Sequence, residues 1–123
     1  MTGEGLPVAA SLTGTAWRAV SVSGLAPVAG REPTITFAAD RVTGTTGCNQ
    51  YFGGYTLGDG AITFSAIGMT RMACDDAVGQ TEAAFTAALT AATTASIDAE
   101  GRLHLAGPAG EIVLDPGSAT GGS

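Results

Sequence analysis

The chain has no lysine, one histidine, two cysteines and only 13% charged residues in a length of 123. Five arginines against eleven acidic residues leave a net charge of −6. A surface of that sign repels phosphate backbones and anionic lipid, which argues against nucleic acid or a membrane surface as a partner. No apolar run approaches the roughly 18 to 20 residues needed to cross a bilayer, so no direct membrane insertion is expected. The opening MTGEGLPVAAS lacks the basic start and unbroken apolar core of a secretory signal. With no CxxC pair and His104 as the single imidazole, soft ligands are too few for structural zinc; neither a metal nor a cofactor is expected.

Catalytic signatures are also scarce. No G-x-S-x-G elbow occurs, and a nucleophile needs a base within reach. His104, between Leu103 and Leu105, reads as an ordinary solvent-facing strand residue. Asp75 and Asp76 sit where a helix should begin, and capping accounts for them. The chain is therefore expected not to be an enzyme. A small hydrolase using Asp75, His104 or a serine is the less favoured alternative.

What the sequence does contain is strand rhythm. Apolar residues make up 45% of the chain, the balance of a folded globule. Period-two alternation recurs in TITFA (Ile35, Phe37), AITFS (Ile62, Phe64), RLHLA (Leu103, Leu105) and EIVLD (Ile112, Leu114). In AWRAVSVS, Trp17 and the Val20/Val22 pair fall on opposite parities, which predicts a bulge or two covered faces. Short breakers at Ala39-Asp40, Gly58-Asp59-Gly60, Glu100-Gly101 and Pro108-Ala109-Gly110 predict tight turns and hence antiparallel neighbours.

One segment, DDAVGQTEAAFTAALTAA, changes period and places Val78, Phe85, Leu89 and Ala92 on one stripe. A helix is expected at about 76–92, its first turn weakened by Gly79 so that regular structure begins near Gln80. The expected fold is mainly β: an antiparallel meander of about eight strands with that single amphipathic helix inserted after the sixth. Residues 1–11 are expected to be disordered, 12–116 to form one domain, and 117–123 to be a flexible tail.

TTGCNQYFGGY, residues 45–55, concentrates the unusual residue types. If the stretch is extended, Asn49, Tyr51, Gly53, Tyr55 and Leu57 share a face, and Gly53 with Gly54 makes room for a crossing group. Asn49 beside Gly47 fits a local backbone cap. Cys48 and Cys74 are either a disulfide or two buried free thiols. A disulfide closing a loop of about 27 residues would contribute about 3 to 4 kcal/mol and require an oxidising, extracytoplasmic compartment. Arg71, read in a strand between Met69 and Met72, could pair with Glu82 or meet an anionic ligand. Trp17, Tyr51, Tyr55 and Arg71 are the candidate ligand or partner surface.

GTAW at 14–17, the GCN…Y…G…Y block, TRMAC at 70–74, the helix with Glu82 and Phe85, and the closing GRLHLAG and EIVLD resemble the META domain, also called the HslJ-like domain. The resemblance runs in order from Leu12 to Pro116. It marks Gly47, Asn49, Tyr51, Gly53, Tyr55, Thr70 and Met72 as motif positions and keeps both motif cysteines. It implies a lipocalin-like open barrel with one helix, an envelope or secreted setting in bacteria, a heat-shock or stress association, and no agreed molecular activity. The expected function is thus a non-catalytic, monomeric module that binds a protein or small-molecule partner. The alternative is a structural or stability domain within a longer secreted chain.

Overall fold

The computed structural model of the chain describes residues 6–7, 12, 14–58 and 60–116. Among these described residues nine strands and one helix follow in order: β1 (Leu6–Pro7), β2 (Ala16–Val22), β3 (Thr34–Phe37), β4 (Arg41–Thr45), β5 (Gln50–Gly58), β6 (Ala61–Met69), α1 (Asp76–Ala91), β7 (Thr94–Ile97), β8 (Leu103–Gly107) and β9 (Gly110–Pro116). All pairings are antiparallel, in the order β7-β6-β5-β4-β3-β2-β9-β8, and β8 pairs back onto β7. Eight strands therefore close into a barrel with one helix. The eight-strand meander is as expected, but the ring is closed rather than open. Its thinnest seam is β6–β7, joined by the single pair Ala61↔Thr94.

β1 pairs with β7 through Leu6↔Ile97 and Pro7↔Ser96. These two residues of the 1–11 segment, expected to be disordered, therefore join the sheet. The rest of that segment and the tail 117–123 lie outside the described residues.

Alternation sets the inside of the barrel. Ile35, Phe37, Ile62, Phe64, Leu103, Leu105, Ile112 and Leu114 are all buried, while Thr36 and Thr63 between them are exposed. The parity conflict in β2 resolves as a bulge. Its register against β9 shifts between Ala19 and Ser21, so Trp17, Ala19 and Val22 all reach the interior. An eight-stranded barrel is just wide enough for side chains to fill. Here Phe37 meets Tyr55 edge-on at 4.9 Å between ring centroids, and both lie within 6.5 Å of Phe64.

Helix α1 packs across β6, β8, β9 and β2 and buries Val78, Thr81, Phe85, Ala88 and Leu89, of which Phe85, Ala88 and Leu89 join the core of the barrel. Phe85 is fully buried, its ring centroid 5.7 Å from that of Tyr51. The helix starts at Asp76, not near Gln80. The Gly79 N–H donates to the Asp75 carbonyl at 2.8 Å and closes the first turn in spite of the glycine. Asp75 occupies the N-cap position, but its side chain makes no capping hydrogen bond.

Two glycines have opposite meanings for this packing. A Cβ at Gly79 would meet nothing within 4 Å, whereas one at Gly107 would press on the Ala91 carbonyl where the helix end crosses β8. Gly79→Ala should raise stability by about 0.5 to 1 kcal/mol through helix propensity alone. Gly107→Ala should lower it by about 1 to 3 kcal/mol. Denaturant unfolding of the two variants checks both signs.

Candidate functional site

The site is built on a buried turn. The Thr46 N–H donates to the Asn49 carbonyl at 2.8 Å, and the Asn49 and Cys48 amides donate back to Thr46 Oγ1 at 2.9 and 3.2 Å. The Thr46 hydroxyl proton points to Glu82 Oε2 on α1, 2.7 Å away. Gly47 has φ 97°, and a Cβ there would lie 2.5 Å from the Arg31 carbonyl oxygen, so the position needs glycine for its conformation and for its space. Its N–H donates to Thr45 Oγ1, and its carbonyl accepts from Arg31 Nη1.

Asn49, 3% exposed, is the centre of the arrangement. Its Oδ1 accepts from the Met72 amide at 2.6 Å and from Thr70 Oγ1 at 3.0 Å. Its Nδ2 donates to Glu82 Oε2 at 2.7 Å and to the Met72 carbonyl at 3.3 Å. Two acceptor positions and two protons thus all have partners, which is the full capacity of a primary amide. The local cap expected for this residue is corrected here. Its side-chain partners lie on α1 and in the segment after β6, because residues 71–75 form no strand or helix and need a partner for their backbone.

The disulfide Cys48–Cys74 spans the same gap, with Cα atoms 6.0 Å apart. Of the two cysteine states left open by the sequence, the structure contains the bonded one. Thr70 extends the β5–β6 ladder by one step: its N–H donates to the Gln50 carbonyl, and its Oγ1 accepts from the Gln50 amide.

The remaining candidates separate into inside and outside. Trp17, Tyr51 and Tyr55 are 6%, 2% and 7% exposed, so they belong to the core and not to a ligand surface. The Trp17 indole donates to Thr15 Oγ1, the Tyr51 hydroxyl to the Thr34 carbonyl and the Tyr55 hydroxyl to the Ala38 carbonyl. Burial pushes the Tyr51 phenol above its ordinary pKa of 10.0. Gly53 makes the room foreseen for it: the Ile67 side chain lies over it where β6 bulges, with Ala66 at φ 56°. Gly54 has only ordinary contacts.

Arg71 is not in a strand, since β6 ends at Met69. Nor does it pair with Glu82, whose carboxylate is taken by Thr46 and Asn49; Arg71 forms no ion pair among the described residues. Arg71, Met72 and Ala73 all face solvent.

His104 departs from its expected surface role. It is half-buried, with Nε2 2.7 Å from Asp98 Oδ2 and Nδ1 2.8 Å from Glu111 Oε2. Its ring partners are these carboxylates, not Asp75 or a serine. The roles of Thr46, Asp98 and Glu111 were not foreseen. For Thr46 a signal existed in the T-T-G-C-N order, which suits a threonine-capped turn.

A closed eight-stranded antiparallel barrel, filled by its own side chains and one helix and pinned by a Cys–Asn knot, defines a small β-barrel class of domain. The chain belongs to the META domain family, whose sequence profile matches residues 10–116. It is similar to a protein from Burkholderia xenovorans solved by NMR, at 30% identity over 88% of this chain and 84% of that one, with a TM-score of 0.71. A second NMR structure, 22% identical over 85% of this chain and 91% of the other, shares the fold at a TM-score of 0.72. No functionally curated protein matches the chain.

Chemically, the knot is saturated: each Asn49 valence holds a backbone or side-chain group in place. Asn49→Ala should destabilise the oxidised protein by about 1 to 3 kcal/mol, since it orphans the Met72 amide. Asn49→Asp should destabilise more at pH 7, because it sets a second carboxylate against Glu82 Oε2, and the excess over Asn49→Ala should shrink on acidification. Thermal unfolding at pH 7 and pH 4 checks the ordering.

Proposed function

We propose that the chain is a non-catalytic, stress-related META module working outside the cytoplasm, and that it binds a protein partner through the segment between β6 and α1. The observation that carries this reading is Met72. The residue is 60% exposed while its own backbone N–H and C=O are both held by Asn49. With Cys74 bonded to Cys48 two residues later, the segment presents Arg71 and Met72 from a backbone that is already ordered. Ordering a loop before association removes an entropic penalty that a free loop would meet on binding. Arginine is enriched at interfaces, and methionine adapts to irregular apolar surfaces. Phe52, 51% exposed, stands on the outer face of β5, opposite Gly68 near the same end of the β5–β6 ribbon.

The extracytoplasmic setting is supported by the disulfide, because glutathione and thioredoxin keep thiols reduced in the cytosol. The stress role rests on the family resemblance alone. A protein partner is favoured over a ligand inside the barrel because aromatic rings occupy the interior.

The test is capture of partners from the native envelope on the oxidised domain, compared with Met72→Ser and Arg71→Ser. Both side chains are exposed, so both variants should keep the wild-type unfolding midpoint. Capture of the same partner should fall at least about tenfold with each, in line with the loss of a hot-spot residue. Undiminished capture by both variants refutes the assignment of this segment.

A further inference from the structure

A second constellation lies away from the knot, on the outer face of β7, β8 and β9. His104 stands on β8, in register with Ser96 of β7 and Val113 of β9. Asp98 follows β7 and closes the turn to β8. Its Oδ1 accepts the Glu100 and Arg102 amides at 2.9 Å each, and its Oδ2 faces His104 Nε2. Glu111 on β9 reaches His104 Nδ1 from the other side. The other charged groups of this face are Glu100 in the turn and Arg102, which pairs with Asp115 of β9 at 2.8 Å. Toward α1, β8 turns Leu103, Leu105 and Gly107, none of which carries a charge.

Proton counting makes this cluster informative. Both ring nitrogens meet carboxylate oxygens, and a carboxylate only accepts. An imidazolium has two N–H donors and satisfies both partners, whereas a neutral imidazole has one and must leave a lone pair facing an anion. We propose that Asp98, His104 and Glu111 form a proton-operated clasp: the protonated ring ties the β7–β8 turn to β9, and loss of its proton releases Glu111.

The asymmetry of the two carboxylates selects Glu111. Asp98 is anchored by two backbone amides and its side chain is 22% exposed, while the Glu111 side chain is 49% exposed. The neutral ring therefore keeps its proton on Nε2, toward Asp98, and presents a bare Nδ1 to Glu111.

Titration directions agree with the geometry. Partial burial pulls the His104 pKa down, but the hydrogen bonds to Asp98 and Glu111 together outweigh it and hold it above the ordinary 6.5. The Asp98 carboxyl is held below its ordinary 3.8, first by the His104 hydrogen bond and next by the Arg102 amide. A raised histidine value means that its contribution is whole below 6.5 and fades as pH rises through the folded value. A lowered aspartate value means that its contribution is whole above 3.8 and fades as pH falls through the folded value. The clasp is thus fully closed between those limits and opens on the alkaline side by releasing the Glu111 side chain, while β9 keeps its ladders to β2 and β8.

His104 is the single histidine of the chain, so its ring stands alone in an NMR pH titration of labelled protein. The clasp requires a midpoint above 6.5, an Nε2–H tautomer above that midpoint, and faster amide exchange at residues 107–111 once the proton is lost. In Glu111→Gln the new amide can donate to a bare Nδ1, so the midpoint should fall while the tautomer stays the same. Asp98→Asn should lower the midpoint and remove the tautomer preference. A wild-type midpoint at or below 6.5, an Nδ1–H tautomer, or exchange at 107–111 that ignores the midpoint overturns the proposal. The wild-type and Glu111→Gln arms decide it even if Asp98→Asn does not fold.

Discussion

The structure depends on one buried primary amide. Asn49 is the point at which the start of β5, the irregular segment before α1 and the helix itself are joined, through hydrogen bonds to Thr70, Met72 and Glu82. A chain leaving a β-barrel to enter a helix must cross a stretch where neither ladder nor helical bonds satisfy its peptides. Burying such peptides unpaired costs about 1 to 3 kcal/mol each. One asparagine supplies two donor protons and two acceptor positions at once, whereas a hydroxyl has a single proton to donate and a carboxylate has none.

The disulfide acts on the same segment by a different route. Cys48–Cys74 restricts the unfolded chain, whereas Asn49 acts in the folded one. Together they set where α1 begins, and α1 in turn places Phe85 and Leu89 inside the barrel. The barrel interior is consequently core. Arg71, Met72 and Phe52 are on that surface because the knot turns the backbone of 70–72 inward and the bulge at Ala66 fits β6 over Gly53.

Much of this was legible in the residues. Alternation located the inward faces of β3, β6, β8 and β9, the parity conflict in AWRAVSVS marked the β2 bulge, and Ala-rich periodicity located the helix. Long-range polar contacts were not legible, because hydrogen-bond partners more than 20 residues apart leave no periodic trace. Asn49 therefore reads as a local cap, and Glu82 is offered as one of two options for Arg71 although Thr46 and Asn49 engage it. His104 reads as an open-surface residue for a different reason: Asp98 and Glu111, six and seven residues away, come beside it only when the turns on either side of β8 form. The aromatics of the GCN block were offered as a surface because composition does not distinguish a tyrosine whose hydroxyl meets a backbone carbonyl from one that meets a ligand. Closure of the barrel was missed for a related reason: the β6–β7 seam is a single residue pair.

The claim that Asn49 orders the segment before the helix is tested most directly by hydrogen exchange at one amide. Met72 lies outside every strand and helix, yet its N–H is 2.6 Å from Asn49 Oδ1. In the oxidised native protein that amide should exchange as slowly as amides of the β5 core, through unfolding of the whole domain. Exchange at the rate of an unstructured loop, with the disulfide intact, would contradict the account.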